Sequence, residues 1–455
     1  MKKYLKLIIP VFLSIILSSC DEFEDTNLDP GRPGGENVSL VAITPTMQTQ
    51  THRNLVASAG RLAGIITQQY IGFDAQQVAF TQYAIPEGTL ASFWEFGLYT
   101  GSMRDCADMI KRANTSGENI HTRGLAEIYM AVNLGVATNC FGDIPYSEAF
   151  LGSENLTPAY DSQEQIYNSI QSLLDEAIVD FGQTDPQGPL GDLVSANWIS
   201  SARALKARYY MQLTKRDPSA SSKALSEISL AFGGNDESPI FEFEDTSNGG
   251  NPLALFGIGR PNTLIIDPFF ANLMNGDPRQ ARYMTPNVDG DQLFFENGNS
   301  DLFWAQFGSP SPLISYWELK FLEAEALFRT GADPVPAMQE AIRANMSFNG
   351  IPAADITAYL ASVTGTDLET IIIEKYKSMY GSAPIEAWND YRRTGFPAIT
   401  AKADGANGSN PSGIVPRRFL YPDSERLGNT VSYEAAIAAQ GGHLLDDDMW
   451  AFPSN

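Results

Sequence analysis

Basic residues, histidines and cysteines are all scarce in this chain, and each shortage closes a class of function. Its 455 residues carry 30 Lys and Arg against 54 Asp and Glu, a formal charge of −24. Nucleic-acid binding needs clustered cations to displace counterions from phosphate, and docking on anionic lipid needs a basic patch. The sequence supplies neither, so no nucleic-acid partner is expected. His52, His121 and His443 are the only histidines and lie far apart, with no Ser or Cys motif beside them. No His-Glu-x-x-His, Gly-x-Ser-x-Gly or phosphate-loop pattern occurs. Gly257-Ile258-Gly259-Arg260-Pro261-Asn262 opens like a dinucleotide loop but lacks the third glycine and the strand-to-helix setting. Asp289-Gly290-Asp291 and Asp446-Asp447-Asp448 could touch calcium but match no EF-hand spacing. Calcium therefore stays an unsupported possibility, no cofactor is expected, and no catalytic constellation emerges.

What is present is a globular composition, 43% hydrophobic and 18% charged with mean hydropathy −0.17, long enough to bury a core without a metal or disulfide staple. Lys2, Lys3 and Lys6 precede an apolar stretch from Leu7 to Leu17, interrupted only by Pro10 and Ser14. That stretch is shorter than the ~20 residues a retained spanning helix needs, and nothing later in the chain approaches that length. Residues 1–19 read as a signal peptide, and Leu17-Ser18-Ser19-Cys20 has the form of a lipobox. Cys20 is then the acylated mature N-terminus, its two or three chains anchoring the protein by ~0.8 kcal/mol per buried methylene. The acidic run Asp21-Glu22-Phe23-Glu24-Asp25 follows, making 20–40 a lipidated tether. Cys106 and Cys140 are expected as buried free thiols, although an exported location permits a disulfide.

Wherever apolar spacing is regular it is helical. Ile314, Trp317, Phe321, Ala324 and Phe328 repeat at three- and four-residue steps, with Gly331 as a stop and Asp333-Pro334 as a restart. Asp161 and Glu164 resemble a capping box before Ile166, Ile170, Leu173, Leu174, Ala177 and Ile178, and Trp198 through Leu213 supplies a partner helix. Tyr99–Ala113 with Arg123–Ala137, and Glu369–Tyr380 with Ile385–Tyr391, complete four antiparallel pairs. The expected class is mainly α, a tetratricopeptide-like superhelix of helical pairs forming one domain over 41–455. Between residues 233 and 312 a long loop-rich insert is expected, rich in Gly, Asn, Asp and Pro and dotted with aromatics. A second loop-rich stretch runs from Lys402 to Asn429.

Several stretches together resemble the SusD/RagB family of surface lipoproteins. The strongest runs from Glu374-Lys375-Tyr376-Lys377 to Ile385-Glu386-Ala387-Trp388-Asn389-Asp390-Tyr391-Arg392-Arg393-Thr394-Gly395-Phe396-Pro397, followed by Val415-Pro416-Arg417-Arg418-Phe419 and Tyr421-Pro422. Asn27-Leu28-Asp29-Pro30, Phe141-Gly142-Asp143-Ile144-Pro145-Tyr146 and Asp277-Pro278-Arg279 add to it. The resemblance implies a helical nutrient-binding lipoprotein at the outer membrane, facing the cell exterior. It would work as the capture lid of a SusC-like TonB-dependent transporter, with an oligosaccharide or a peptide as ligand. The acidic run after Cys20 resembles an export signal in such bacteria. The signature residues themselves read as scaffold: Trp388 has core spacing, and Asp390 and Arg393 are one helical turn apart.

A sugar site wants exposed aromatic platforms beside Asn, Asp, Gln or Arg. Trp198, Trp317 and Trp388 fall on helical stripes and read as core. Trp304 lies outside any stripe, so the expected stacking platform is Trp304 with Phe303, Gln306 and Asp301 nearby, Phe294 and Phe295 ranking second and Trp94 after them. The competing class is a surface-anchored glycoside hydrolase, for which carboxylates are plentiful but no motif exists.

Overall fold

In the computed structural model of the chain, residues 38–117, 119–295 and 302–454 are described. The leader, Cys20, the acidic run, the Asn27–Pro30 motif and Asp301 lie outside the described residues. The first helices are α1 (Leu40–Val56) and α2 (Ser58–Ile66), which lead to β1 (Tyr70–Gly72) and the short α3 (Gln76–Thr81). A wider, π-type segment at Phe93–Ser102 enters α4 (Met103–Ser116), and then come α5 (Ile120–Phe141), α6 (Gln163–Phe181), α7 (Trp198–Gln212) and α8 (Ala220–Ile228). Each packs on the next in antiparallel succession, and α5, buried on every side from Gly124 to Phe141, is the axis of the stack. The helix before Ile166 is capped one residue later than expected. Ser162 Oγ accepts from Gln165 N–H, and the Gln165 side chain accepts from Ser162 N–H at 2.8 Å. Asp161 instead accepts from Tyr146 N–H and Ser147 N–H, holding the preceding loop.

The 233–312 insert is more ordered than its composition suggests. It holds β2 (Ile240–Phe241), α9 (Pro252–Gly259), β3 (Leu264–Ile266), α10 (Pro268–Leu273), β4 (Thr285–Pro286), β5 (Gln292–Leu293) and β6 (Ser311–Pro312). Asn251-Pro252 and Asp267-Pro268 start two of its helices: each cap side chain accepts from a backbone N–H in the first turn, with proline behind it. Three antiparallel ladders form, β2 with β6, β4 with β5, and β3 with β1, the last pairing Tyr70 with Ile266 across nearly two hundred residues. Phe270, Phe294 and Trp304 share one hydrophobic cluster with Leu62, Tyr129 and Leu205 of the helical stack.

Beyond the insert come α11 (Tyr316–Arg329), α12 (Val335–Phe348), α13 (Ala353–Ser362), α14 (Leu368–Ser378), α15 (Pro384–Thr394), α16 (Asp423–Gly428) and α17 (Thr430–Gln440). α11 and α12 form the expected hairpin, and Asp333 accepts from Val335 N–H at 3.0 Å. The fourth expected pair is not a hairpin. α14 packs chiefly on α11, and α15 chiefly on α2, because each apolar face finds a better partner elsewhere. The signature residues are committed internally. Trp388 donates to Pro416 O at 2.9 Å. Arg393 pairs with Glu325 and Asp390, and Lys375 with Asp390 at 2.8 Å. Arg392 donates to Asn139 O and Arg417 O over the faces of Trp388 and Phe452. No helix among the described residues is long and apolar enough to cross a membrane.

Candidate ligand-binding groove

The aromatics expected to carry a ligand are mostly inside. Trp304 is 2% exposed, with Phe303 edge-on at 5.1 Å and Phe348 stacked at 6.2 Å. Its side chain lies so close to Gly381 that a Cβ there would sit 2.5 Å from it. Phe294 and Phe295 are buried against each other, with Tyr70 on Phe294. Trp94 is buried on Phe141, and its indole N–H donates to Glu425 at 3.2 Å. Phe303 and Gln306 are half-buried, and the Gln306 amide donates to Leu302 O. A ring covered on both faces offers no platform, so the stacking expectation for Trp304, Phe294, Phe295 and Trp94 gives way to a packing role. The insert's apolar residues had nowhere to go but the shared core.

A different surface combines exposed apolar area, free polar groups and an open concavity. β1 ends at Gly72, where the chain must turn hard. A Cβ on Gly72 would lie 1.8 Å from Gln77 O, so only glycine lets strand and helix meet. Gly72 N–H donates to Thr81 Oγ1 at 2.7 Å. Phe73 and Asp74 N–H groups both donate to Thr263 O, at 2.9 and 3.2 Å, which joins this turn to the loop between α9 and β3. Ala75 then takes φ +53° with ψ −144°, and the Phe73 ring before it is 54% exposed.

α3 presents Gln76, Ala79 and Phe80 to an open recess of ≈ 410 Å³, whose other wall is Ile85, Pro86, Asn407, Gly408 and Ser409. Asn407 fixes that wall: its side chain donates to Tyr83 O and Gly405 O and accepts from the N–H groups of Ser409 and Asn410. Pro86 and Ser409 also border a second recess of ≈ 350 Å³, lined further by Glu87, Asp423, Arg426 and His443. The two make one groove, mostly apolar at one end and charged at the other.

At the charged end Arg426 reaches Glu87 at 3.1 Å, and His443 Nε2 lies 3.0 Å from Tyr433 OH and 3.7 Å from Glu87. Burial, with Arg418 nearby, holds the His443 pKa below its usual value, so the ring is neutral at pH 7. Seven non-glycine residues among those described have positive φ, and two of them, Ala75 and Asn262, lie in the Phe73 turn and in the loop bonded to it. Each costs of order 1–3 kcal/mol, and such strain concentrates where a fold holds a working surface.

Elsewhere the reactive side chains are sealed. Cys106 and Cys140 are buried free thiols, and burial pushes the Cys140 thiol up to about 12, far from a nucleophilic thiolate. Burial lowers His52 to about 3, with Ser311 and Tyr129 on its two nitrogens. Among the described residues no group of three or more His, Cys, Asp or Glu could hold a metal ion. Asp446, Asp447 and Asp448 accept from the backbone N–H groups of Ser412, Leu444 and Ser454 respectively.

None of Phe73, Gln76, Asn407 or Ser409 was singled out from the sequence. A lone exposed phenylalanine in a turn carries no periodic signal, and the loop that faces α3 across the groove lies more than three hundred positions away in the chain.

A family model described as starch-binding, associating with the outer membrane, matches residues 36–422. Among solved structures the chain is similar to a chitin-binding protein at 23% identity, TM-score 0.77, covering 91% of this chain and 100% of that one. It is similar to a SusD/RagB family protein from Bacteroides thetaiotaomicron at 24% identity, TM-score 0.76, over 92% of this chain and 100% of that one. A chitin-binding SusD homologue from Flavobacterium johnsoniae matches at 20% identity and TM-score 0.74, over 91% and 99%. No curated protein matches the chain.

Proposed function

The chain belongs to the SusD-like family, and from that premise we propose that it captures oligosaccharides in the groove over α3 and passes them, unaltered, to a SusC-like TonB-dependent transporter. The observation that carries this reading is the exposed Phe73 ring in the turn that leads into α3, whose Gln76, Ala79 and Phe80 wall a groove with Asn407 and Ser409. Sugars have apolar C–H faces and polar rims, and this surface supplies an apolar platform next to amide and hydroxyl groups. The family description and the chitin-binding relatives support glycan over other nutrients. No bond need be made or broken: the Glu87 carboxylate is engaged by Arg426, and the thiols are sealed. In this reading residues 1–19 are removed, Cys20 is acylated, and residues 20–40 tether a single domain over 41–455 to the cell exterior.

Calorimetric titration of the mature protein with malto- and chito-oligosaccharides and with peptides of similar length tests the proposal. Phe73→Ala is expected to weaken the bound glycan about tenfold, the ~1.4 kcal/mol that one covered aromatic face supplies, with the melting temperature unchanged. Binding of peptides alone, turnover of any glycan, or a Phe73→Ala variant of full affinity would overturn it.

A further inference from the structure

In a chain of charge −24, α2 and the loop joined to the Phe73 turn each bring one arginine to the same phenylalanine ring, and among the described residues neither has a carboxylate partner. The Arg61 guanidinium, on α2, lies 3.9 Å from the centroid of the Phe256 ring, and Arg260, at the end of α9, lies 5.8 Å from the same centroid. Arg61 Nε is enclosed and has no hydrogen-bond partner. Among the described residues neither guanidinium forms an ion pair.

The fully buried arginines of this fold all have hydrogen-bonded partners. Arg208 has Glu318, Arg279 has Asp277 and Glu374, and Arg393 has Glu325 and Asp390. Arg392 and Arg418 donate to backbone carbonyls. Arg61 is half-buried with its Nε enclosed; an enclosed donor without a partner is costly, and a cation–π contact returns only about 0.5–2 kcal/mol of that cost. Burial and the neighbouring Arg260 charge together bring Arg61 down to about 10, so it is still charged at neutral pH and repelled by its neighbour. An anion reaching both guanidiniums would relieve the repulsion and give the Arg61 fork a partner.

The loop side of the pair is open to solvent. Phe256 is half-buried, and Arg260, Pro261 and Asn262 are exposed. Asn262 takes φ +61°, and Thr263 O holds the Phe73–Asp74 turn alongside. The nearby Asp74 carboxylate is turned to its own backbone, accepting from Ala75 N–H at 2.7 Å.

We infer that Arg61, Phe256 and Arg260 form a subsite for an anionic substituent, a carboxylate or sulfate ester, on the captured oligosaccharide. This rests on the capture reading above and adds to it the ligand's charge. Guanidinium forks fit planar or tetrahedral oxyanions, and a partly enclosed pair acts in a lower dielectric than a surface lysine. The acidic surface elsewhere repels polyanions, although screening confines that repulsion to about 8 Å at physiological salt. Ligands with a single negative group are therefore favoured over densely charged chains.

The test is titration of the mature protein with neutral oligosaccharides and with oligomers of equal length ending in one uronic acid, with inorganic sulfate as a competitor. The singly charged glycan is expected to bind about tenfold tighter than its neutral counterpart, a ratio that falls to about one in Arg260→Ala and in Arg61→Met. Circular dichroism checks that each variant folds, and Arg61→Lys, which keeps the charge but not the fork, should fall between. Equal binding of charged and neutral glycans by the unaltered protein would overturn the subsite while leaving capture intact. So would displacement of the uronate by an equal concentration of sulfate, which marks an adventitious ion only. Absence of binding by every glycan, neutral ones included, would bring down the capture reading itself.

Discussion

Single residues in this protein are governed by what surrounds them more than by their type. Trp304 is the largest aromatic of the insert, yet it is packed between Phe303, Phe348 and Gly381. Trp304→Ala should therefore cost ~3–5 kcal/mol of stability in denaturant unfolding, as a vacated core site does; a stable variant that loses only glycan affinity would return the residue to the ligand. Glu127 illustrates the same dependence for charge. It is 2% exposed, and burial, aided by Asp180 and Glu176 and opposed by Arg123, raises its pKa to about 8. The folded state thus holds the proton more tightly than the unfolded chain, whose carboxyl titrates near 4.5. The stabilisation from that proton is complete below pH 4.5 and drains away as pH climbs toward 8. Glu127→Gln should raise the melting temperature at pH 8 and lose most of that advantage at pH 5. A gain that is equal at both values would show that Glu127 is charged throughout.

At the scale of elements, capping and periodicity decide where helices begin, and packing decides what they touch. The Asp333 restart and the paired helices of the first stack follow from local chemistry, which is why they were legible; the capping box was legible only to within one residue, at Asp161 where the structure uses Ser162. Asn251-Pro252 and Asp267-Pro268 use the same cap-and-proline grammar as Asp333-Pro334 but were passed over, because glycine, asparagine and aspartate around them diluted the apolar stripe. The pairing of α14 with α11 instead of α15 was not legible, since both faces of the choice are apolar. The β1–α3 turn is the strained element. Relieving Ala75 by Ala75→Gly should raise the denaturation midpoint by about 1 kcal/mol of stability, the strain recovered less the entropy glycine adds to the unfolded chain. It should also weaken glycan binding by loosening Phe73. A variant less stable than the parent would mean the turn carries no strain.

Over the whole molecule, buried ion pairs tie distant helices into one body. Arg208 on α7 meets Glu318 on α11 at 2.6 Å, with both side chains under 5% exposed, and also donates to Leu313 O. Arg208→Met strands a buried carboxylate and should cost ~3–5 kcal/mol, whereas the paired change Arg208→Met with Glu318→Met should recover most of it. Equal losses in the single and double variants, measured by chemical denaturation, would show that the pair contributes through packing alone. Long-range ties likewise explain why the candidate groove was invisible beforehand: the β1–β3 ladder brings the Phe73 turn to the Arg260–Thr263 loop, and the Asn407–Tyr83 bond sets the wall opposite α3.

By itself the order of residues determined the helical class, the helices with regular apolar stripes and the motif set that marks the family, because each depends on nearby residues or on simple amphipathic spacing. Tertiary structure alone decided which aromatics face water, which arginines lack a partner and where a ligand could lie. Exposure belongs to a residue's spatial neighbours, and in this fold those neighbours arrive from hundreds of positions away.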